Sequence, residues 1–174
     1  MPELSRTSRA AKVVIAQPPT ATLDVQRVDR SGFIPDDDQF QTWVDAALLA
    51  GWQGTSVGIR VVSLDEARRY NRDYRGKHHA TNILSFPVEL PAGLPDEVRH
   101  SQLGDLLICA PVVARESVAQ KRPEHEHWAH LTIHGILHLQ GYMHERAEQA
   151  RVMESLETEI LAGLGIPDPY REID

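Results

Sequence analysis

Apolar and polar residues alternate at period two over Leu23-Asp24-Val25-Gln26-Arg27-Val28, the pattern of a strand with one buried face. Pro35 and the acids Asp36, Asp37 and Asp38 supply helix-start chemistry, and Phe40, Trp43, Val44, Ala47 and Leu48 follow at helical spacing, predicting a first helix that ends by Gly51. Ser56 to Val62 reads as a second strand. Ser63 then caps a helix to about Tyr74, with Glu66 three residues on completing a capping box. Ile83-Leu84-Ser85-Phe86 ahead of Pro87 is a third strand, placed at an edge because proline cannot donate to a ladder. Leu103 to Ile108 is the fourth. Three further helices are expected: Pro111 to Gln120, Pro123 to the glycine at 141, and Glu145 to Ala162, the last turning Val152, Met153, Leu156, Ile160 and Leu161 to the core.

Between the third and fourth strands, Pro87 to about Ser101 holds Pro87, Pro91, Gly93 and Pro95 and reads as a surface insertion, although loops of this length are often lids or binding loops. Residues 1–22 bear Ser, Thr, Arg and Pro18-Pro19 with little periodicity and are expected to be a flexible extension to one domain, 23–174. The chain has 174 residues, 41% hydrophobic and 25% charged, an ordinary globular composition, and no apolar run long enough to cross a bilayer, so a soluble protein with no membrane partner is expected. The single cysteine, Cys109, lies in the apolar run Leu106 to Ala110 and reads as a core residue, in keeping with a reducing compartment.

The formal net charge of -7 argues against indiscriminate binding to nucleic acid. Its distribution changes that picture. From Arg60 to Asn82 there are six basic residues against three acidic, whereas from Glu145 to Asp174 there are three basic against eight acidic. One region can attract a polyanion while the far helix repels it. Within the basic region, Tyr74-Arg75-Gly76-Lys77-His78-His79-Ala80-Thr81-Asn82 leaves the helix through a glycine and gathers a guanidinium, an ammonium and two imidazoles in one loop. Arg75 there could clamp a phosphate bidentately.

The chemistry concentrates in His134-Gly135-Ile136-Leu137-His138-Leu139-Gln140-Gly141-Tyr142-Met143-His144. Two histidines four apart share one helix face and can reach one cation. Gly141 can end the helix and turn the chain back, bringing His144 to the pair. Three neutral imidazoles leave a tetrahedral zinc ion with an open position, which marks catalytic sites. Zinc peptidases show the same spacing but carry a glutamate after the first histidine as general base, and here that position is Gly135. A zinc-dependent amide hydrolase would therefore need a base from elsewhere. His127, His130 and His134 share a helical face and form an alternative ligand set; with the later trio preferred, His130 becomes a supporting or substrate contact and His127 structural.

Together with Tyr74-Arg75-Gly76-Lys77, Thr81-Asn82-Ile83-Leu84-Ser85-Phe86-Pro87, Leu103-Gly104-Asp105-Leu106 and His127-Trp128-Ala129-His130, this motif resembles the YbeY family of bacterial zinc-dependent endoribonucleases, over roughly Leu23 to Tyr170. The resemblance implies an α+β fold: a small mixed four-stranded sheet with helices around it and the metal site on a central helix, in a zincin-like arrangement. It implies one zinc ion on His134, His138 and His144, an essential role for Arg75, and substrate contacts from Lys77, Ser85 and His130. It also implies a cytoplasmic enzyme that cuts single-stranded RNA rather than DNA, in 3′-end maturation of 16S ribosomal RNA and ribosome quality control. The precursor RNA and the small ribosomal subunit or its proteins would be its partners. A ribosome-assembly factor with mainly structural zinc is the alternative. One departure stands out: the family usually has aspartate before the last histidine, where this chain has Met143.

Overall fold

The computed structural model describes residues 20–173. Most of the expected N-terminal extension lies outside the described residues, but its last members belong to the domain. Ala21 is buried, its N–H donates to Asp45 Oδ1 (2.9 Å), and Thr22 opens the first strand.

Four strands form one mixed sheet in the order β1-β2-β4-β3. β1 (Thr22–Arg27) and β2 (Ser56–Val62) are parallel, as are β2 and β4 (Gln102–Cys109), while β3 (Ile83–Pro87) runs antiparallel on the edge of β4. The edge position is the one Pro87 permits. Because strand side chains alternate, Val57, Ile59 and Val61 of β2 and Leu106 and Ile108 of β4 enter the larger core, and Val62, Leu84, Leu107 and Cys109 a smaller one on the opposite face. Burial pushes the Cys109 thiol pKa up, as an inert core thiol requires.

Helices α1 (Asp37–Ala47) and α5 (Glu124–Leu139) cover the first face, and α2 (Leu64–Arg75) lies over the second. α4 (Ala110–Ala119) leaves directly from β4 and touches both α2 and α5, and α6 (Ala147–Gly163) packs on α5. α5 is therefore enclosed on nearly every side, and its buried residues include Trp128, Ala129, Leu131, Ile133, Gly135, Ile136 and Leu137. Beyond the exposed first turn, what escapes burial is a half-exposed strip at a spacing of four, His130, His134 and His138. A helix apolar on all other sides holds that strip rigidly.

Four local expectations need correction. α1 ends at Ala47, before Gly51 as expected, but Leu48, counted at helical spacing, is already extended. Ser63 does accept from Glu66 N (3.4 Å), but the Glu66 carboxylate turns to Arg60 of β2 (2.7 Å) instead of closing a capping box. Val152 is 55% exposed, because the strip that α6 buries runs through Met153, Glu157 and Leu161 and leaves Val152 a hundred degrees off it. The insertion after β3 contains one helical turn, α3 (Asp96–Arg99), and His100 ties it to the α1–β2 connection by stacking on Trp52 (centroids 4.1 Å) and bonding Gly51 O (3.1 Å).

Candidate metal centre

The trio assembles from one helix and one turn. His134 and His138 occupy the open strip of α5; Gly141, at φ +100°, reverses the chain, and the following loop returns His144 beside them. Ring centroids lie 4.5 Å apart for His134 and His138, 4.6 Å for His138 and His144, and 5.4 Å for His134 and His144. One ligand atom from each lies within 4.8 Å of the other two.

Hydrogen bonding sets what these rings offer. His134 Nδ1 lies 2.5 Å from Glu157 Oε1, and His138 Nδ1 lies 2.8 Å from Tyr142 O. A carboxylate and a carbonyl only accept, so both Nδ1 atoms carry the proton and both Nε2 atoms present lone pairs. Yet the two Nε2 atoms face each other at 3.0 Å. Two acceptors cannot bond to one another; a cation between them removes the conflict. Burial and then the neighbouring His134 push the His138 pKa down to about 4, so at neutral pH it is the unprotonated form a metal requires.

Glu157 of α6 is a candidate site residue that the sequence pattern did not reveal. It is fully buried, and besides His134 it takes a hydrogen bond on Oε2 from His130 Nε2 (2.9 Å) and another from the Tyr170 hydroxyl. Burial alone would raise its pKa, but the bonds from His130 and His134 outweigh it and hold the carboxyl down at about 2. Burial and Glu157 together push the Tyr170 hydroxyl up, keeping it a proton donor. His130, His134 and Glu157 also lie close enough to share an ion. Their contacts are already good hydrogen bonds, however, whereas the other trio has lone pairs in conflict. The carboxylate–histidine–metal arrangement, in which the outer oxygen fixes the tautomer, describes Glu157 better than ligation does. It also bears on Met143, which is 51% exposed: the carboxylate that reaches the trio comes from α6, not from the turn. His127 is buried on Glu116 (2.7 Å), the structural role expected of it.

Gly135 faces the sheet. A Cβ there would lie 2.7 Å from Leu106 Cδ2 and 2.8 Å from Ile83 Cδ1, so no glutamate fits where zinc peptidases keep their base. Gly135→Ala is expected to destabilise by about 1–3 kcal/mol through overpacking, read as a lowered midpoint in thermal unfolding, with metal binding by the folded protein retained.

The remaining candidates are spread out. Arg75 is the last residue of α2, exposed, with Gly76 behind it in the left-handed region (φ +65°). Its neighbour Tyr74 packs on Phe86 and Tyr70 on the α2 side of the sheet. Arg75 therefore lies in a different layer from the trio and touches none of it. Lys77 is exposed in the loop beyond. Of the six basic residues from Arg60 to Lys77, three are paired, Arg60 with Glu66, Arg68 with Asp65 and Arg72 with Asp73. Arg69, Arg75 and Lys77 have no ion pair among the described residues. Ser85, half-buried, alternates with Leu84 and so shares Ile83's face, the one α5 covers.

Comparison with known proteins points the same way. A family model described as Endoribonuclease YbeY matches residues 31–165. A protein of that name from Alkalilimnicola ehrlichii is 54% identical over 157 residues, 88% of this chain and 93% of its own. Those of Halorhodospira halophila and Stenotrophomonas maltophilia are 52% and 53% identical, each over 79% of this chain and over 89% and 85% of their own. Among solved structures, that of TM1509 from Thermotoga maritima covers 87% of this chain and all of its own with a TM-score of 0.50 at 19% identity, a likeness of fold.

Proposed function

Since the chain belongs to the YbeY family of endoribonucleases, we propose that it cuts single-stranded RNA with one zinc ion held by His134, His138 and His144. Its place would be the cytoplasmic maturation of the 3′ end of small-subunit ribosomal RNA and ribosome quality control, with precursor RNA and the small subunit as partners. One observation carries the metal assignment: the two Nε2 lone pairs opposed at 3.0 Å while each Nδ1 is committed to an acceptor. A zinc ion bound there supplies a Lewis acid for phosphodiester chemistry.

The chain's own residues do the rest. Glu157 fixes the His134 ring, and the Tyr142 carbonyl fixes that of His138, so neither has to reorient as the substrate arrives. Arg75 and Lys77, exposed and without acidic partners among the described residues, are the cations we assign to substrate phosphates; the guanidinium can take two oxygens of one phosphate at once. His130 and Ser85, on the face that α5 shares with β3, are the hydrogen-bonding groups assigned to the bound strand. Among the described residues no helix is long and apolar enough to cross a membrane. Single strands are favoured because a duplex needs a broad cationic surface, which a chain of net charge -7 does not offer.

The test is cleavage of a labelled single-stranded RNA by purified protein with and without chelator, alongside metal analysis. Chelation is expected to stop cleavage and zinc to restore it. Arg75→Ala should keep full zinc content and raise KM by about 10–100-fold, as when one charge-assisted contact to a substrate phosphate is lost. If Arg75→Ala and His134→Ala both support rRNA maturation in a deletion strain, the protein works by binding and its zinc is structural.

A further inference from the structure

An open cleft of about 620 Å³ begins at His134 and leads away from the trio. Its floor is the α5 face carrying His134, His130 and His127, one wall is the end of α4 with Lys121 and Arg122, and the other is the C-terminal segment with Tyr170 and Arg171. In a chain this acidic the lining is unusual. Lys121, Arg122 and Arg171 make no ion pair among the described residues, and the one carboxylate in the lining, Glu116, is engaged by Asn82 Nδ2 (3.1 Å) and His127 Nε2 (2.7 Å). Arg122 Nε is buried with no hydrogen-bond partner among the described residues, a donor that a phosphate oxygen would satisfy. Lys121 is also the one non-glycine residue in the left-handed region among those described, at φ +53°. A position that is uncomfortable for lysine is thus used to turn the chain off α4 and set two cations side by side at the cleft wall.

We infer that this cleft is the path of the RNA strand beyond the metal, with Lys121, Arg122 and Arg171 receiving the phosphates next along from the one cleaved; the inference rests on the endoribonuclease reading. Along α5, His127 and His134 are about 10 Å apart, seven residues at 1.5 Å. That is the rise of about three stacked nucleotides. The cations therefore serve a strand longer than the reacting linkage and are out of reach of a very short one. Asn82 and Ile83 also line the cleft, where the loop that follows Arg75 and Lys77 enters β3.

The experiment compares cleavage of a labelled single strand of about twelve nucleotides, within the span such grooves hold, with cleavage of a trinucleotide across a range of salt concentrations. The proteins are zinc-loaded wild type, the triple variant Lys121→Gln/Arg122→Gln/Arg171→Gln, and the double variant Lys121→Gln/Arg171→Gln, which alters only exposed side chains and stands in if loss of Arg122 unsettles the fold. On the long strand the slope of log kcat/KM against log salt is expected to flatten by about 2 in the triple and about 1.4 in the double variant, at 0.7 per cation, with the loss in KM. Trinucleotide cleavage and zinc content should match wild type, and neutralising exposed Arg30 and Arg151 should change nothing. Slopes equal to wild type overturn the path, as does an equal loss on the trinucleotide. A zinc-loaded wild type that cuts neither RNA overturns the endoribonuclease reading and the path with it.

Discussion

His138→Ala is expected to abolish both zinc retention and RNA cleavage while leaving a folded protein. His138 contributes one of the two opposed Nε2 atoms, and without it only His134 and His144 remain as ligands. Two imidazoles are not a site for a catalytic zinc ion, which normally has three protein ligands. The affinity loss should exceed the ~10–100-fold that follows loss of a supporting contact. Folding should survive because His138 is half-exposed and its one bond, to the Tyr142 carbonyl, is replaceable by water at a loss of about 1 kcal/mol. Thermal unfolding separates the effects. Zinc should raise the midpoint of wild type, as any ligand of the folded state does, and leave the variant's unmoved. A pH series on metal-free protein adds a second signature. With a folded pKa of about 4 against 6.5 for the free side chain, the unfolded chain takes up the proton first as pH falls. Metal-free wild type therefore loses stability between pH 6.5 and 4, on the order of 2–3 kcal/mol, and the variant should lack that component. Stoichiometric zinc in His138→Ala would dismiss this trio as the ligand set.

The trio could be read from the chain because its geometry is local. Two residues of one helix and a third across a glycine turn keep their relation in any fold that preserves the helix, so spacing alone brought His134, His138 and His144 together. The strands were legible from equally local signals, β1 from its alternation and β4 from its apolar run, and Pro87 marked the edge. Glu157 was not legible. It stands among apolar core positions on α6, at a spacing that a solvated glutamate could equally hold, and only the packing of α6 against α5 turns it into a buried anion beneath His130 and His134. Val152 failed in the same helix for the mirror reason: an apolar residue one position off the buried strip reads as core until the rotation of the helix is known. Gly135 was read only as a missing base. Its cause, the approach of Leu106 and Ile83, belongs to the sheet beneath. Arg75 shows what motif reading leaves out, since the motif names the cation but not that α2, whose last residue it is, packs on the face of the sheet opposite α5.

Glu157→Gln should weaken zinc binding by about 10–100-fold with the three ligands all in place. The amide oxygen can still accept from His134 Nδ1, so the ring keeps its tautomer. The amide nitrogen, however, would present hydrogens toward His130 and the Tyr170 hydroxyl, which both donate to Oε2 in the native protein. One of those partners must turn away, and the negative charge that makes His134 a stronger ligand is gone. Competition with a chromogenic chelator measures the affinity, and kcat/KM at saturating zinc shows how much activity returns once the site is filled, which separates loss of metal from loss of orientation. Acid unfolding of the metal-free proteins gives an independent reading. The Glu157 carboxyl sits at about 2 in the folded chain against 4.5 free, so its contribution, on the order of 3 kcal/mol, is complete above pH 4.5 and disappears as pH falls through 2. The wild type should lose stability relative to Glu157→Gln across that interval, the gap between the two narrowing as the pH drops. Parallel acid profiles with unchanged zinc affinity would mean that α5 orients His134 by itself, and that neither His130 nor His134 holds the Glu157 charge.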